Sequence, residues 1–230
     1  MRIKHTLTLS ASIAMLAFAL FACKEEGKKQ TESNEVSVSA TEIEEELAEE
    51  VIVGTFTDSR DGKNYKTVKI GKHIWMAENL NYDVAGSKCY DNKPENCQKY
   101  GRLYNWKTAK KACPSDWHIP SNADWNILMK IANPSCSDNN SCNKAGTKLK
   151  ATSGWDEGNG TDNYSFAALP GGSGNSEGEF VNVGIYSGLW SSSESSASNA
   201  YSRGMYFNFD YVSWDDDDKS SLNSVRCVQD

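Results

Sequence analysis

Six cysteines between residues 89 and 227 constrain this sequence more than any other feature, because they limit how the chain can be arranged. A seventh, Cys23, follows an apolar start typical of an export signal. An even number of remaining cysteines in an exported chain predicts a disulfide framework. Two pairs of cysteines each bracket a short, polar, turn-rich loop that a disulfide would close. The two cysteines left over form the third pair. The expected bridges are Cys89 with Cys97, Cys136 with Cys142, and Cys113 with Cys227.

Structural zinc is the alternative use of such cysteines. The sequence contains no Cys-x-x-Cys pair, and beyond residue 23 its only histidines are His73 and His118. Structural zinc sites take four closely spaced Cys or His ligands, so the spacing favours disulfides.

Residues 1–22 predict a signal peptide, with a short basic start followed by an apolar region too short to span a bilayer. Leu20–Cys23 resembles a bacterial lipobox, in which the cysteine is acylated and becomes the new N-terminus. We therefore expect Cys23 to anchor the protein in a lipid bilayer, since two or three acyl chains together keep a protein stably bound to a membrane. The alternative is ordinary secretion, with Cys23 removed or left free. Lys24–Glu26 resembles an export signal of surface lipoproteins, which favours the outer membrane or the cell surface of a bacterial envelope.

Charge is distributed unevenly along the chain. Residues 23–50 contain three lysines, ten glutamates and no aromatic residue, which predicts a lipidated, acidic and flexible tether. Residues 51–230 form the remaining domain and contain 19 basic and 21 acidic residues. This domain has no basic excess with which to neutralise phosphates, so the sequence excludes nucleic acid as a partner.

The pattern of the domain predicts an α+β fold. Residues 51–56, 65–70 and 73–76 are strand-like, and Gly71-Lys72 predicts a hairpin. Helices are expected over residues 103–113 and after Ser121, which is a candidate N-cap with Asp124 at the third position. Short strands separated by Gly, Ser and Asn loops are expected from residue 135 onward.

Several segments resemble the Fibrobacter succinogenes major paralogous domain family, and together they cover roughly residues 54–230. They are residues 58–71 (DSRDGKNYKTVKIG), 75–81 (WMAENLN), 100–106 (YGRLYNW), 113–121 (CPSDWHIPS), 190–194 (WSSSE) and 224–228 (SVRCV). The resemblance implies an exported or lipid-anchored bacterial protein. It also implies a compact C-type lectin-like fold with two helices, small antiparallel sheets and long loops, similar at a distance to the formylglycine-generating enzyme. Fold alone does not transfer activity.

Aromatic side chains supply the candidate binding residues, since rings stack on sugar faces while polar groups bind hydroxyls. The tryptophans in family-like motifs are expected in the core: Trp75, Trp106, Trp117, Trp125 and Trp190. The candidates for an exposed ligand site are Trp155, Tyr164, Tyr186, Tyr201, Tyr206, Tyr211 and Trp214. The runs 154–163 and 171–178 are expected to be exposed loops.

Four consecutive carboxylates, Asp215, Asp216, Asp217 and Asp218, could supply oxygen ligands to calcium. The alternative is a solvated hairpin tip, and no other cofactor is indicated.

Glu78 is interpreted as pairing with Arg102 or Arg226, or as capping backbone amides, and His118 as a packing residue.

These features predict a lipid-anchored binding module of the cell envelope, for polysaccharide or another envelope ligand. A structural lipoprotein with a protein partner is the alternative. An enzyme is not expected, because formylglycine-type chemistry needs free cysteines in a cleft and the disulfides account for all six.

Overall fold

The computed structural model describes residues 52–230. The predicted signal peptide (1–22), the lipidation site Cys23 and the tether (23–50) lie outside the described residues. Within the described part, no helix is both long enough and apolar enough to cross a membrane.

The first sheet joins the beginning of the domain to its last strand. It contains β1 (Ile52–Thr57), β2 (Asn64–Ile70), β3 (His73–Met76) and β12 (Val228–Gln229), in the order β1-β2-β3-β12. All three pairings are antiparallel. The hairpin predicted at Gly71-Lys72 is confirmed, since Ile70 pairs with His73 and Gly71 adopts a φ of +59°.

The second sheet forms most of the remaining domain. Its strands are β4 (Ser87–Lys88), β5 (Leu103–Tyr104), β6 (Gly171–Gly174), β7 (Phe180–Val183), β8 (Tyr186–Glu194), β9 (Asn199–Tyr206), β10 (Ser213–Asp218) and β11 (Asn223–Ser224). The main order is β10-β9-β8-β11-β5-β4, and β6 pairs with both β7 and β8. The expectation of an exposed loop at residues 171–178 is therefore wrong for 171–174, a largely buried strand.

The described residues form four helices, not the two expected. They are α1 (Pro94–Tyr100), α2 (Trp106–Ala109), α3 (Asn122–Ala132) and α4 (Ala145–Leu149). The prediction for α3 is confirmed, including a capping box between Ser121 and Asp124. The helix expected over 103–113 is shorter, because Leu103 and Tyr104 pair with β11 and the Asn105 side chain then caps α2.

Buried side chains form two main clusters on either side of β8. Leu189 lies in one with Trp125, and its neighbour Trp190 lies in the other with Trp106, as alternation along a strand requires. The core position of all five family-motif tryptophans is confirmed, since each is at most 8% exposed.

The three expected disulfides are present. Their Cα–Cα distances are 4.9 Å for Cys89–Cys97, 5.8 Å for Cys113–Cys227 and 5.3 Å for Cys136–Cys142. The α+β class is confirmed, with sheet (35%) exceeding helix (17%).

Candidate functional site: an acidic and aromatic cleft

The second sheet carries an open cleft of about 430 Å³ on its β8–β9–β10 end. We call it the acidic–aromatic cleft. Its lining residues are Tyr186, Tyr206, Tyr211, Ser213, Trp214, Asp215, Asp216 and Asp217. All of these except Ser213 were candidates in the sequence analysis. The fold thus gathers predicted rings and predicted carboxylates at one place.

Two glycines make room for the floor of the cleft. Gly188 on β8 and Gly204 on β9 are paired across the sheet, next to Tyr186. A Cβ on Gly188 would lie 2.9 Å from Cε1 of Tyr186, and one on Gly204 would lie 3.0 Å from its Cε2. The ring of Tyr186 therefore lies across the glycine pair. It is only 7% exposed, so the expectation of an exposed Tyr186 side chain is wrong.

A series of rings extends from Tyr186 to the surface. Tyr186 and Tyr206 are paired across the two strands, and their ring centroids are 4.6 Å apart. Tyr206 contacts Phe209 at 6.0 Å, and Phe209 stacks on Tyr211 at 4.9 Å. Phe209, which the sequence interpretation missed, is 42% exposed. The cleft is thus bordered by a continuous aromatic surface.

Strand alternation divides the four carboxylates between the two faces of β10. The side chain of Asp215 contacts the Ser213 hydroxyl, and that of Asp217 accepts a 2.8 Å hydrogen bond from Asn223 Nδ2. The expected hairpin tip is wrong, because Asp215 to Asp218 are paired with β9. Among the described residues these four carboxylates contribute to no group of three converging ligand atoms, which a shared calcium ion would need.

The charges of the cleft act on its phenols. Burial, and then the charges of Asp217 and Asp215, raises the pKa of Tyr186 well above its usual value. Burial also raises the pKa of Tyr206, assisted by the same two carboxylates. Both phenols therefore remain neutral and can donate or accept a hydrogen bond at neutral pH.

The opposite face of β9 and β10 holds a buried cation. The guanidinium of Arg203 lies 3.5 Å from the centre of the Trp214 ring, and the Trp214 ring is tilted by 54° against that of Tyr201 at a centroid distance of 5.2 Å. Arg203 Nη2 donates to Asn122 Oδ1 at 3.0 Å, and burial lowers the pKa of Arg203 to about 9. Tyr201 therefore packs against the Trp214 ring and is not among the residues that line the cleft.

Two other candidates lie elsewhere. Trp155 is 5% exposed and donates from Nε1 to the Ala168 carbonyl at 3.1 Å, so the expectation that its ring is displayed on a loop is wrong. Tyr164 is half-buried, and its hydroxyl donates to the Ile131 carbonyl at 2.9 Å. Both rings pack with the core cluster around Trp125.

Glu78 caps the backbone, one of its expected roles: its Oε2 accepts a 2.7 Å hydrogen bond from the Lys66 amide. It also lines a larger groove of about 570 Å³ with Asp162, whose pKa is raised by burial. No residue lining this groove is aromatic, so it offers no ring for stacking. The acidic–aromatic cleft is the better candidate for ligand binding.

The fold and the cleft define a disulfide-bonded α+β domain with a concave, ring-bordered surface. The family model described as the Fibrobacter succinogenes major domain matches residues 68–229, and the chain belongs to this family. No curated protein and no solved structure matches the chain.

Proposed function

We propose that this protein is a lipid-anchored module of the bacterial cell envelope that binds polysaccharide or a related envelope ligand in the acidic–aromatic cleft. The anchor is Cys23, and residues 23–50 act as the tether between the membrane and the domain. The observation that carries the binding role is the position of Tyr186 and Tyr206 beside Asp215 and Asp217 in one open cleft.

The chemistry of the cleft suits a carbohydrate. The C–H face of a sugar ring packs against an aromatic ring, and its hydroxyls need directed hydrogen-bond partners. Phe209 and Tyr211 provide the exposed end of the aromatic surface, while Asp215 and Asp217 provide acceptors beside it. The neutral phenols add hydrogen-bonding groups of both kinds.

The charge of the cleft narrows the ligand class. Its lining contains three carboxylates and no basic side chain. An acidic polysaccharide would place like charges close together, which costs binding free energy. We therefore expect neutral or amino sugars to bind better than uronate-rich or sulfated chains.

Binding without turnover is the expected behaviour. The Asp215 and Asp217 carboxylates are already held by Ser213 and Asn223, and Asp216 accepts a 3.0 Å hydrogen bond from Asn199 Nδ2. Carboxylates held in one orientation suit the recognition of sugar hydroxyls as hydrogen-bond acceptors.

The test is a pull-down on insoluble polysaccharides and a glycan array with the purified, oxidised protein. Phe209→Ala and Asp217→Asn should each weaken binding about 3- to 10-fold, since each removes about 0.5–1.5 kcal/mol of stacking or hydrogen bonding. The matched controls are Tyr82→Ala, a half-buried ring that lies beside Arg60 instead, and Asp138→Asn, an exposed carboxylate paired with Lys130. Binding that is unchanged in both cleft variants, or absent from the wild type, would refute the proposal.

A protein partner is the second candidate, and strand β1 favours it. Among the described residues β1 pairs only with β2, so one of its edges is open, and Ile52 and Val53 are 54% and 67% exposed. An open strand edge with apolar side chains can pair with a strand of another protein. A stoichiometric partner that co-purifies with wild type and is lost with Val53→Lys would support this function.

We further propose that the fold is C-type lectin-like. Two observations support this assignment. The last strand, β12, pairs with β3, so the first sheet contains both ends of the domain, and a disulfide joins Cys113 to Cys227. An experimental structure compared with lectin folds will test this assignment.

A further inference from the structure

Both histidines of the described residues face the same carboxylate, far from the acidic–aromatic cleft in sequence. His73 Nε2 lies 3.8 Å from Asp124 Oδ1 and 3.6 Å from Asp230 Oδ1. His118 Nε2 lies 3.5 Å from the other oxygen of Asp124. One ligand atom each from His73, Asp124 and Asp230 can be chosen so that all three lie within 4.8 Å of one another.

The fold brings these residues together from three segments. His73 begins β3, and Asp124 is the third residue of α3, fixed by its capping box with Ser121. The register of β3 with β12 pairs Ile74 with Gln229, which places Asp230 beside His73. The site is therefore built on a helix start and a strand pair.

The His73 ring lacks ordinary hydrogen bonds. Its side chain is 2% exposed, and within the described residues its Nδ1 has no hydrogen-bond partner. On the Nε2 side, separations of 3.6 and 3.8 Å from the two carboxylates are too long for hydrogen bonds. An ion that bridges Nε2 to the two carboxylates would therefore give this nitrogen a partner that neither carboxylate provides at these distances.

We propose that His73 Nε2, Asp124 Oδ1 and Asp230 Oδ1 bind a divalent transition-metal ion of the zinc type. With metal–ligand bonds of about 2.0–2.2 Å, two ligands of a tetrahedral site lie about 3.3–3.5 Å apart. The separations of 3.8 and 3.6 Å from His73 Nε2 are slightly longer than this range. A small rotation of the exposed Asp230 side chain, with a slight shift of Asp124 Oδ1 that keeps the capping box intact, would close the geometry around an ion.

The donor set selects the class of metal. One imidazole nitrogen and two carboxylate oxygens suit zinc and its neighbours, whereas calcium prefers six to eight oxygens. Asp124 and Asp230 each supply one carboxylate oxygen. Asp124 Oδ2 accepts hydrogen bonds from Ser121, which leaves Oδ1 for the metal.

The site is open on one side. The side chain of Asp230 is 83% exposed and that of His118 is 43% exposed. An ion can therefore enter from solvent, and a water molecule can complete a fourth coordination position. His118 borders this opening and contacts the same carboxylate.

The test uses the purified full-length chain, oxidised, stripped with EDTA and dialysed. Titration with Zn²⁺ in a calorimeter should give one ion per chain, and excess Ca²⁺ should not displace it. At a free Zn²⁺ concentration of about 100 times Kd, the midpoint of thermal unfolding should rise by about 5–10 °C. Substitution with Co²⁺ should give the visible absorption of a tetrahedral site.

Asp230→Asn is the decisive variant, because the exposed side chain can be changed without disturbing the fold, whereas His73→Ala alters the core. It should weaken Zn²⁺ binding at least about tenfold. Glu177→Gln, an exposed carboxylate between β6 and β7, should bind like the wild type. The proposal is overturned if the wild type binds no Zn²⁺ or if Asp230→Asn binds it as tightly as the wild type. Glycan binding by Asp230→Asn reports separately on the acidic–aromatic cleft.

Discussion

Arg226 donates two hydrogen bonds to the side-chain oxygen of Asn79, from Nε at 3.1 Å and from Nη2 at 2.9 Å. Asn79 belongs to the segment WMAENLN and Arg226 to SVRCV, so this contact joins two of the family-like motifs. Burial lowers the pKa of Arg226 to about 9, although the charges of Asp162 and Glu78 oppose this effect. The expected pairing of Glu78 with Arg226 or Arg102 is wrong: the Asn79 side chain binds Arg226, and Arg102 pairs with Asp83.

Asn79→Ala should destabilise the protein strongly. It removes the only side-chain acceptor among the hydrogen-bond partners of Arg226 in the described residues, leaving three backbone carbonyls, and also a 2.9 Å hydrogen bond from Asn79 Nδ2 to the Tyr100 carbonyl. Hydrogen bonds to charged groups contribute about 1.5–3 kcal/mol each, so we expect a loss of about 3–4 kcal/mol. Urea unfolding measures this value. Glu78→Gln keeps an acceptor for Lys66 and is the control; equal midpoints for the two variants would show that Arg226 does not depend on Asn79.

The three disulfides should contribute unequally. In the chain-entropy account a bridge stabilises more when it closes a longer loop. The pair Cys113–Cys227 spans 114 residues and Cys89–Cys97 spans 8, so replacing both cysteines by alanine should cost about 4–5 kcal/mol and about 2–3 kcal/mol respectively. Thermal and urea unfolding of the two double variants will rank them, and the reverse order would contradict the entropic explanation.

Stability should fall in acid, partly through Asp58. Burial opposes its charge, but hydrogen bonds and charge from Arg60 outweigh this and keep the pKa of Asp58 below 3.8. The group therefore stabilises the fold above its unfolded pKa, and this contribution is lost as the pH falls through the lower folded value. The free energy of unfolding should fall less for Asp58→Asn than for wild type between about pH 5 and about pH 2. A curve for Asp58→Asn that runs parallel to that of the wild type would rule out this linkage.

Gly204→Ala should distort the acidic–aromatic cleft. The added Cβ would lie 2.8 Å from Asp215 Oδ2 and 3.0 Å from the Tyr186 ring, and it would also meet the Ser213 hydroxyl. We expect a loss of stability of about 1–3 kcal/mol from overpacking, together with weaker glycan binding. Gly171→Ala is the control, because its nearest neighbour would be 3.3 Å away. Differential scanning calorimetry and the pull-down measure the two effects; unchanged glycan binding would separate the glycine pair from recognition.

Local sequence signals predicted much of this fold. The capping box of Ser121 and Asp124 satisfies amides within one helical turn, so α3 could be located without tertiary information. The pairs Cys89–Cys97 and Cys136–Cys142 close loops of 8 and 6 residues, and the third pair followed by elimination. The family segments likewise indicated the core tryptophans.

Tertiary structure decided how the candidate residues are arranged. Trp155 and Tyr186 are both buried, because the Trp155 ring packs in the cluster around Trp125 and the Tyr186 ring lies over the paired glycines of β8 and β9. Pairing of β10 with β9 made Asp215 to Asp218 a strand, and strand alternation then separated carboxylates that are adjacent in sequence. His73, Asp124 and Asp230 show no ligand spacing along the chain. They meet because β12 pairs with β3 beside the start of α3, and a contact between distant segments depends on the packing of the whole domain.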